Sequence, residues 1–375
     1  MHLALITTSY PDSIPGSEAA GSFVEDFAKE LSQHIQVTVI APSLKSSIES
    51  DENLEIRRFA VPRLPLSLLK PTNPNNWLAI SQTLARGKST LEQLVQEQRV
   101  DHILALWALP SGYWAQNISK KHNIPYSIWA LGSDIWSLGK IPVIRSILKK
   151  VILNSQNCFA DGIKLSEDVE SISGKSCIFL PSSRRLPGIE RKDYSTIPPY
   201  RLTFIGRWHP NKGIDILLDS LSHLHEDDWK LIKEVVICGG GPMENLVIDE
   251  CYKLTSQKHP ITHRGFINKT EASEILSNSD YLIIPSRIES IPVVFSDALQ
   301  TGCPVIATPV GDLPRLLTEY KPGVLAKNTS SSSLTEAIRT AIHTKPLSFR
   351  DAIKQLKLTF DIGNTVSRVL NIIKV

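Results

Sequence analysis

Between Tyr281 and Pro309 the chain alternates apolar runs and breakers in an order that few folds accept. Tyr281-Leu282-Ile283-Ile284 is wholly apolar and reads as a parallel strand buried on both faces. A loop carrying Arg287 and Glu289 follows. Pro292 suits the first turn of a helix, where its missing N–H costs nothing, and that helix runs to about Thr301. Gly302 ends it, and Pro304-Val305-Ile306-Ala307 begins the next strand. A strand–loop–helix of this kind aims unbonded backbone N–H groups and the positive end of a helix dipole at whatever lies above the strand tip. That environment suits an anion, and phosphate is the usual one. Glu289 sits at the mouth and Asp297 about two turns along the helix. Carboxylates repel phosphate, so the partners that fit them are hydroxyls of a sugar or a ribose. A plain β-α-β unit with two solvated acids is the alternative.

One such unit does not account for 375 residues, and two domains are expected. With 42% apolar and 21% charged residues the chain reads as soluble and globular, and a net charge of +3 gives no case for nucleic acid. Cys158, Cys177, Cys238, Cys251 and Cys303 are scattered, without a Cys-x-x-Cys, and read as reduced thiols of a cytoplasmic protein. Met1 to Ile6 has no basic region before it and reads as a first strand rather than a leader. No apolar run approaches the ~20 residues of a membrane span.

In the first half, Leu3–Thr7, Val37–Ala41, Asp101–Leu106, Tyr126–Ala130, Asn157–Asp161 and Cys177–Leu180 read as strands. The loop after the first holds Gly16 and Gly21, which let backbone approach a phosphate or are ordinary turn glycines. From Ile56 to Leu91 there is no acid but six bases: Arg57, Arg58, Arg63, Lys70, Arg86 and Lys88. A second acid-free stretch, Ile135 to Ala160, holds Lys140, Arg145, Lys149 and Lys150 among apolar residues at helical spacing. Both read either as helices with solvated bases or as a surface for anionic lipid. Asp134, in Ala130-Leu131-Gly132-Ser133-Asp134-Ile135, is a helix cap or a sugar-contacting carboxylate.

The second half opens with strand Arg201–Ile205 and the loop Gly206-Arg207-Trp208-His209-Pro210-Asn211-Lys212-Gly213. An arginine and a lysine five apart on a strand-to-helix loop can converge on one diphosphate. Val235–Cys238 leads into Gly239-Gly240-Gly241-Pro242-Met243-Glu244, only a partial dinucleotide fingerprint, because Glu244 stands where the third glycine belongs. A dinucleotide-dependent oxidoreductase is thereby disfavoured.

Glu289-x7-Asp297 before a small-residue helix and a Gly-x-Pro-Val-Ile strand resembles the signature of retaining glycosyltransferase family four, as does Gly206-Arg207-x4-Lys212-Gly213. Gly239-x-Gly241-Pro242 and Gly132-Ser133-Asp134 also match, while Leu131 replaces the family's histidine and Asp297 its second glutamate. The resemblance implies an α/β fold of two Rossmann-like parallel-sheet domains facing across a cleft, the GT-B type. It implies an acceptor domain over residues 1–190, a nucleotide-sugar domain over 200–357, and a C-terminal helix, 358–375, crossing back to the first. The implied activity is transfer of a sugar from a UDP- or GDP-type nucleotide sugar to a glycan or lipid-linked acceptor, in cell-surface polysaccharide synthesis, without a metal or other cofactor. Arg207 and Lys212 would neutralise the leaving diphosphate, Glu289 would hold donor-sugar hydroxyls, Asp134 a sugar or acceptor, and Asp297 the ribose. Further donor contacts fall at Gly21, Gly206, Gly239, Gly241, Ile267 and the run Ser290-Ile291-Pro292-Val293-Val294. A nucleotide-sugar epimerase of similar architecture and a catalytically weakened nucleotide-binding relative are the alternatives. A peripheral position at the inner face of a membrane goes with the lipid-facing reading of the basic stretches.

Overall fold

A computed structural model describes residues 1–12, 18–188 and 193–374. The chain divides into two compact units, Met1–Ser182 with Ile362–Val375, and Ser183–Asp361.

The first unit is built on eight strands: β1 (His2–Ile6), β2 (Gln36–Ser43), β3 (Ser47–Asp51), β4 (Leu54–Ala60), β5 (His102–Leu106), β6 (Tyr126–Ala130), β7 (Cys158–Ala160) and β8 (Ile178–Phe179). They lie in the order β3-β4-β2-β1-β5-β6-β7-β8, parallel except for β3 at the edge. Successive side chains of a strand point to opposite faces, and both faces here are covered, so the central strands are mostly apolar, and their buried polar residues bond to one another, His2 to Thr38 and His102 to Ser127. Ile6, Ile103, Ala105 and Ile128 pack with Leu91, Trp114, Leu148 and Val151 from helices Trp77–Glu97, Ser111–His122 and Pro142–Leu153. Leu3, Leu5, Leu104 and Trp129 pack with Phe23, Phe27 and Leu31 from helix Glu18–Ser32, and with Val366 and Val369 from helix Ile362–Ile373. The last helix thus belongs to the first unit, while residues 350–361 stay with the second.

The second unit has six strands, β9 (Tyr200–Ile205), β10 (Ile232–Cys238), β11 (Ile261–Arg264), β12 (Tyr281–Ile284), β13 (Val305–Ala307) and β14 (Gly323–Leu325). All are parallel, in the order β11-β10-β9-β12-β13-β14. Counted within the unit this is 3-2-1-4-5-6, the doubly wound arrangement whose strand order reverses between β9 and β12. Ligands of open α/β sheets bind beyond the carboxyl ends of the strands at such a reversal. The loops emerging there are residues 206–213 and 285–292.

Three expectations change. Gly21 lies inside helix Glu18–Ser32 rather than in the loop before it, and a Cβ there would come 2.8 Å from Tyr10 Cα; it is a packing glycine. Gly16 lies outside the described residues. Arg57 and Arg58 do not face outward: Arg57 is buried between Glu55 (2.5 Å) and Glu97 (2.6 Å), and Arg58 donates to the Pro11 carbonyl at 2.8 Å and covers the Tyr10 ring. Residues 183–188, placed by sequence in the first domain, group with the second unit, since Arg184 and Leu186 bond to helix Val293–Thr301.

Candidate active site

The loop 206–213 leaves β9, turns through a short 3-10 segment at Pro210–Lys212 and feeds helix Ile214–Ser222 through Gly213. Gly213 has φ +67°, and a Cβ there would lie 1.8 Å from the Pro285 carbonyl oxygen. Only glycine allows loops 206–213 and 285–292 to meet so closely. Further bonds join them. Arg287 N–H donates to the Asn211 carbonyl at 2.8 Å, and the Arg287 guanidinium donates to both oxygens of Asp215 at 2.8 and 2.6 Å. That fork holds the Asp215 carboxyl below its ordinary range.

On this scaffold Lys212 Nζ donates to Glu289 Oε1, an oxygen that also accepts from Ser286 Oγ at 3.3 Å. The lysine and the glutamate, 77 residues apart, form one ion pair. Arg207 is exposed, and its side chain has no bonding partner among the described residues. His209 lies between the two cations in sequence. Burial first, and then the charges of Arg207 and Lys212, push its imidazole below the ordinary value.

The loop from β10 closes one side. A Cβ on Gly239 would lie 1.9 Å from the Gly206 carbonyl oxygen, and one on Gly241 would lie 2.8 Å from that of Trp208. Trp208 N–H donates to the Gly240 carbonyl at 2.8 Å. Phe266, more than half exposed, lays its ring against Gly240, and the half-buried Ile267 follows it. Two buried polar atoms here, Trp208 Nε1 and Ser290 Oγ, have no hydrogen-bond partner among the described residues. Pro292 caps helix Val293–Thr301 with no side-chain bond, which leaves its first N–H groups for another acceptor, and Val293 and Val294 line that turn half-buried. Ile291 and Pro292 are buried beneath it.

Asp297 does not share this exposure. Its side chain is 1% exposed, and the Arg184 guanidinium donates to both its oxygens, at 3.0 Å (Nε to Oδ1) and 2.7 Å (Nη2 to Oδ2). Gln300, one turn on, donates to the Arg184 carbonyl at 2.6 Å and accepts from Leu186 N–H at 3.2 Å. The carboxylate read from sequence as a ribose ligand is therefore the anchor of segment 184–186.

In the first unit Asp134 is fully buried in the short helix Ser133–Trp136. It accepts from Ala108 N–H at 2.6 Å and from Leu131 N–H at 3.4 Å, and so ties the loop after β6 to the loop after β5. Burial raises its carboxyl to about 6 against these bonds. Asp134 fixes backbone rather than presenting a free carboxylate. Arg184, Arg287, Asp215 and Trp208 were not singled out as site residues by sequence reasoning. Arg184 carried no local signal, since its partner is 113 residues away; Asp215, the second helical residue after Gly213, was the more findable.

Residues 191–356 match the family described as glycosyl transferases group 1. A protein of Bacillus subtilis (strain 168), assigned to teichuronic acid biosynthesis as the glycosyltransferase TuaC, is 26% identical over 97% of this chain and 95% of its own length. Among solved structures, sucrose-phosphate synthase from Thermosynechococcus elongatus superposes with a TM-score of 0.74 at 15% identity, over 100% of this chain and 98% of that one. HepE of Anabaena, in complex with UDP, gives 0.70 at 15% identity over 99% of each chain. The fold is of the GT-B type, and the chain is a glycosyltransferase.

Proposed function

Starting from a glycosyltransferase of this fold, we propose that the second unit binds a nucleotide sugar of UDP or GDP type, and that its sugar passes with retained configuration to a glycan or lipid-linked acceptor in cell-surface polysaccharide synthesis. One observation carries the reading: Arg207, the Lys212–Glu289 pair and an uncapped helix N-terminus lie on the two loops that emerge at the strand-order reversal between β9 and β12. Departure of a nucleoside diphosphate builds negative charge, and fixed cations with aligned N–H groups stabilise that charge in the transition state. Ser290 Oγ and Trp208 Nε1 supply a polar atom and a donor at the same loops. HepE was solved with UDP, and TuaC is assigned to teichuronic acid biosynthesis; both support the donor and acceptor classes. No metal is needed in this reading, since Arg207 and Lys212 carry the neutralisation; EDTA should leave the rate unchanged.

We place the acceptor side at a lipid surface. In the first unit Leu68, Trp77, Leu78, Val143 and Ile147 are exposed, and so are Arg63, Lys70, Arg86, Lys140, Arg145 and Lys149 of the same two acid-free stretches. Apolar groups among unopposed cations suit anionic headgroups.

Calorimetric titration with UDP, GDP, ADP and NAD tests the donor reading. One nucleoside diphosphate should bind, and the Arg207→Ala/Lys212→Ala double variant should lose it. Binding of NAD instead, or of nothing, overturns the proposal.

A further inference from the structure

We propose that Glu289 makes the donor site discriminate between a sugar-bearing nucleotide and the bare nucleoside diphosphate, by holding Lys212 whenever no sugar is present. The inference rests on the donor reading above and goes beyond it in giving Glu289 a role toward the product.

The two cations placed for a diphosphate are in different states. Arg207 is exposed and unbonded among the described residues, whereas Lys212 is already matched by Glu289. That pair is not a chance meeting of long side chains. The Arg287–Asp215 fork, the Arg287 N–H to Asn211 bond and the contact of Gly213 with the Pro285 carbonyl fix the two loops against each other. Ser286 Oγ steadies the same carboxylate oxygen, and the Glu289 side chain is only 13% exposed. Solvent screening, which makes most exposed pairs nearly worthless, is reduced here.

A bare diphosphate reaching the loop must compete with Glu289 for Lys212, or sit beside an uncompensated carboxylate. Hydroxyls of an attached sugar change the balance. They are donors, a carboxylate accepts from them readily, and Glu289 can exchange the ammonium for a hydroxyl while Lys212 turns to phosphate. Once the sugar has left, the carboxylate returns to Lys212 and the nucleoside diphosphate is held by Arg207 and backbone N–H groups alone. The same pair that admits the donor thus favours loss of the product.

Calorimetry with UDP and GDP tests this in two independent arms. Glu289→Gln should bind the bare nucleoside diphosphate about tenfold tighter, or ~1.4 kcal/mol, and Glu289→Gln/Lys212→Met should lose that gain. Separately, Arg207→Met should weaken bare diphosphate binding more than about tenfold, while Lys212→Met, which removes a cation already held by Glu289, should weaken it less. The second arm leaves Glu289 in place and so does not depend on how its replacement folds. Unchanged or weaker binding by a Glu289→Gln variant with unaltered thermal unfolding overturns the inference, and so does an equal loss from Lys212→Met and Arg207→Met. If the unsubstituted chain binds no nucleoside diphosphate, the donor reading itself fails and this inference with it; the unsubstituted chain alone tells the two failures apart.

Discussion

Replacing Arg184 by methionine keeps the aliphatic stem and removes the guanidinium from Asp297. The carboxylate is 1% exposed on helix Val293–Thr301, and the guanidinium reaches both its oxygens, at 3.0 and 2.7 Å. Breaking a buried pair by deleting one partner costs about 3–5 kcal/mol, because the remaining charge keeps its desolvation penalty. The second unit spans Ser183–Asp361. In a domain of that size each kcal/mol moves the midpoint by roughly 2–4 °C, so its transition should fall by about 6–20 °C. Calorimetric unfolding, with hydrogen exchange over residues 293–301 to assign the affected transition, reads this directly. Arg184→Met/Asp297→Leu should regain most of the loss, since an apolar pair of similar volume carries no stranded charge. A shift below about 2 °C, or a double variant no more stable than the single one, would refute the assignment of Asp297 as an internal anchor and return it to the ligand.

Asp134 has a carboxyl raised to about 6 from 3.8, so the folded state binds the proton more tightly; relative to Asp134→Asn, the unsubstituted chain should lose stability as pH rises from about 4 to 6, and parallel melting curves across that window would contradict this. Gly213→Ala forces a side chain to φ +67° and onto the Pro285 carbonyl, so the second unit should lose more than about 2 kcal/mol and its nucleotide affinity, as read by denaturant unfolding and calorimetry. Sedimentation with vesicles should capture the chain when they carry anionic lipid, and release it in high salt or on Trp77→Ser/Ile147→Ser substitution. Equal capture by zwitterionic vesicles would exclude the electrostatic surface.

The buried parallel strands were legible because both their faces are covered. Tyr281–Ile284 and Tyr126–Ala130 therefore read as strands without any alternation to decode. Edge strand Ser47–Asp51 gave no such signal, being exposed at every residue, with neither face carrying an apolar pattern. Lys212 and Glu289 were singled out through their loops, yet nothing local told that they would bond to each other rather than wait apart. Arg57 and Arg58 misled for a different reason. Their stretch is acid-free, but Glu55 lies just before it and Glu97 six residues after it, and the fold brings both to Arg57. The partner of Asp297 was illegible because a buried carboxylate needs a cation, and this one sits in a segment with no periodicity of its own.

The helix Ile362–Ile373 completes the first unit after the whole of the second has been made. A ribosome therefore releases the first sheet long before the last apolar wall of its core, where Val366, Val369 and Leu370 meet the residues around Phe27 and Leu31. During synthesis that face lacks its native cover while residues 183–361 emerge. A stop codon in the last dozen positions would accordingly injure the half of the protein that was translated first and leave the neighbouring, more recently made half intact.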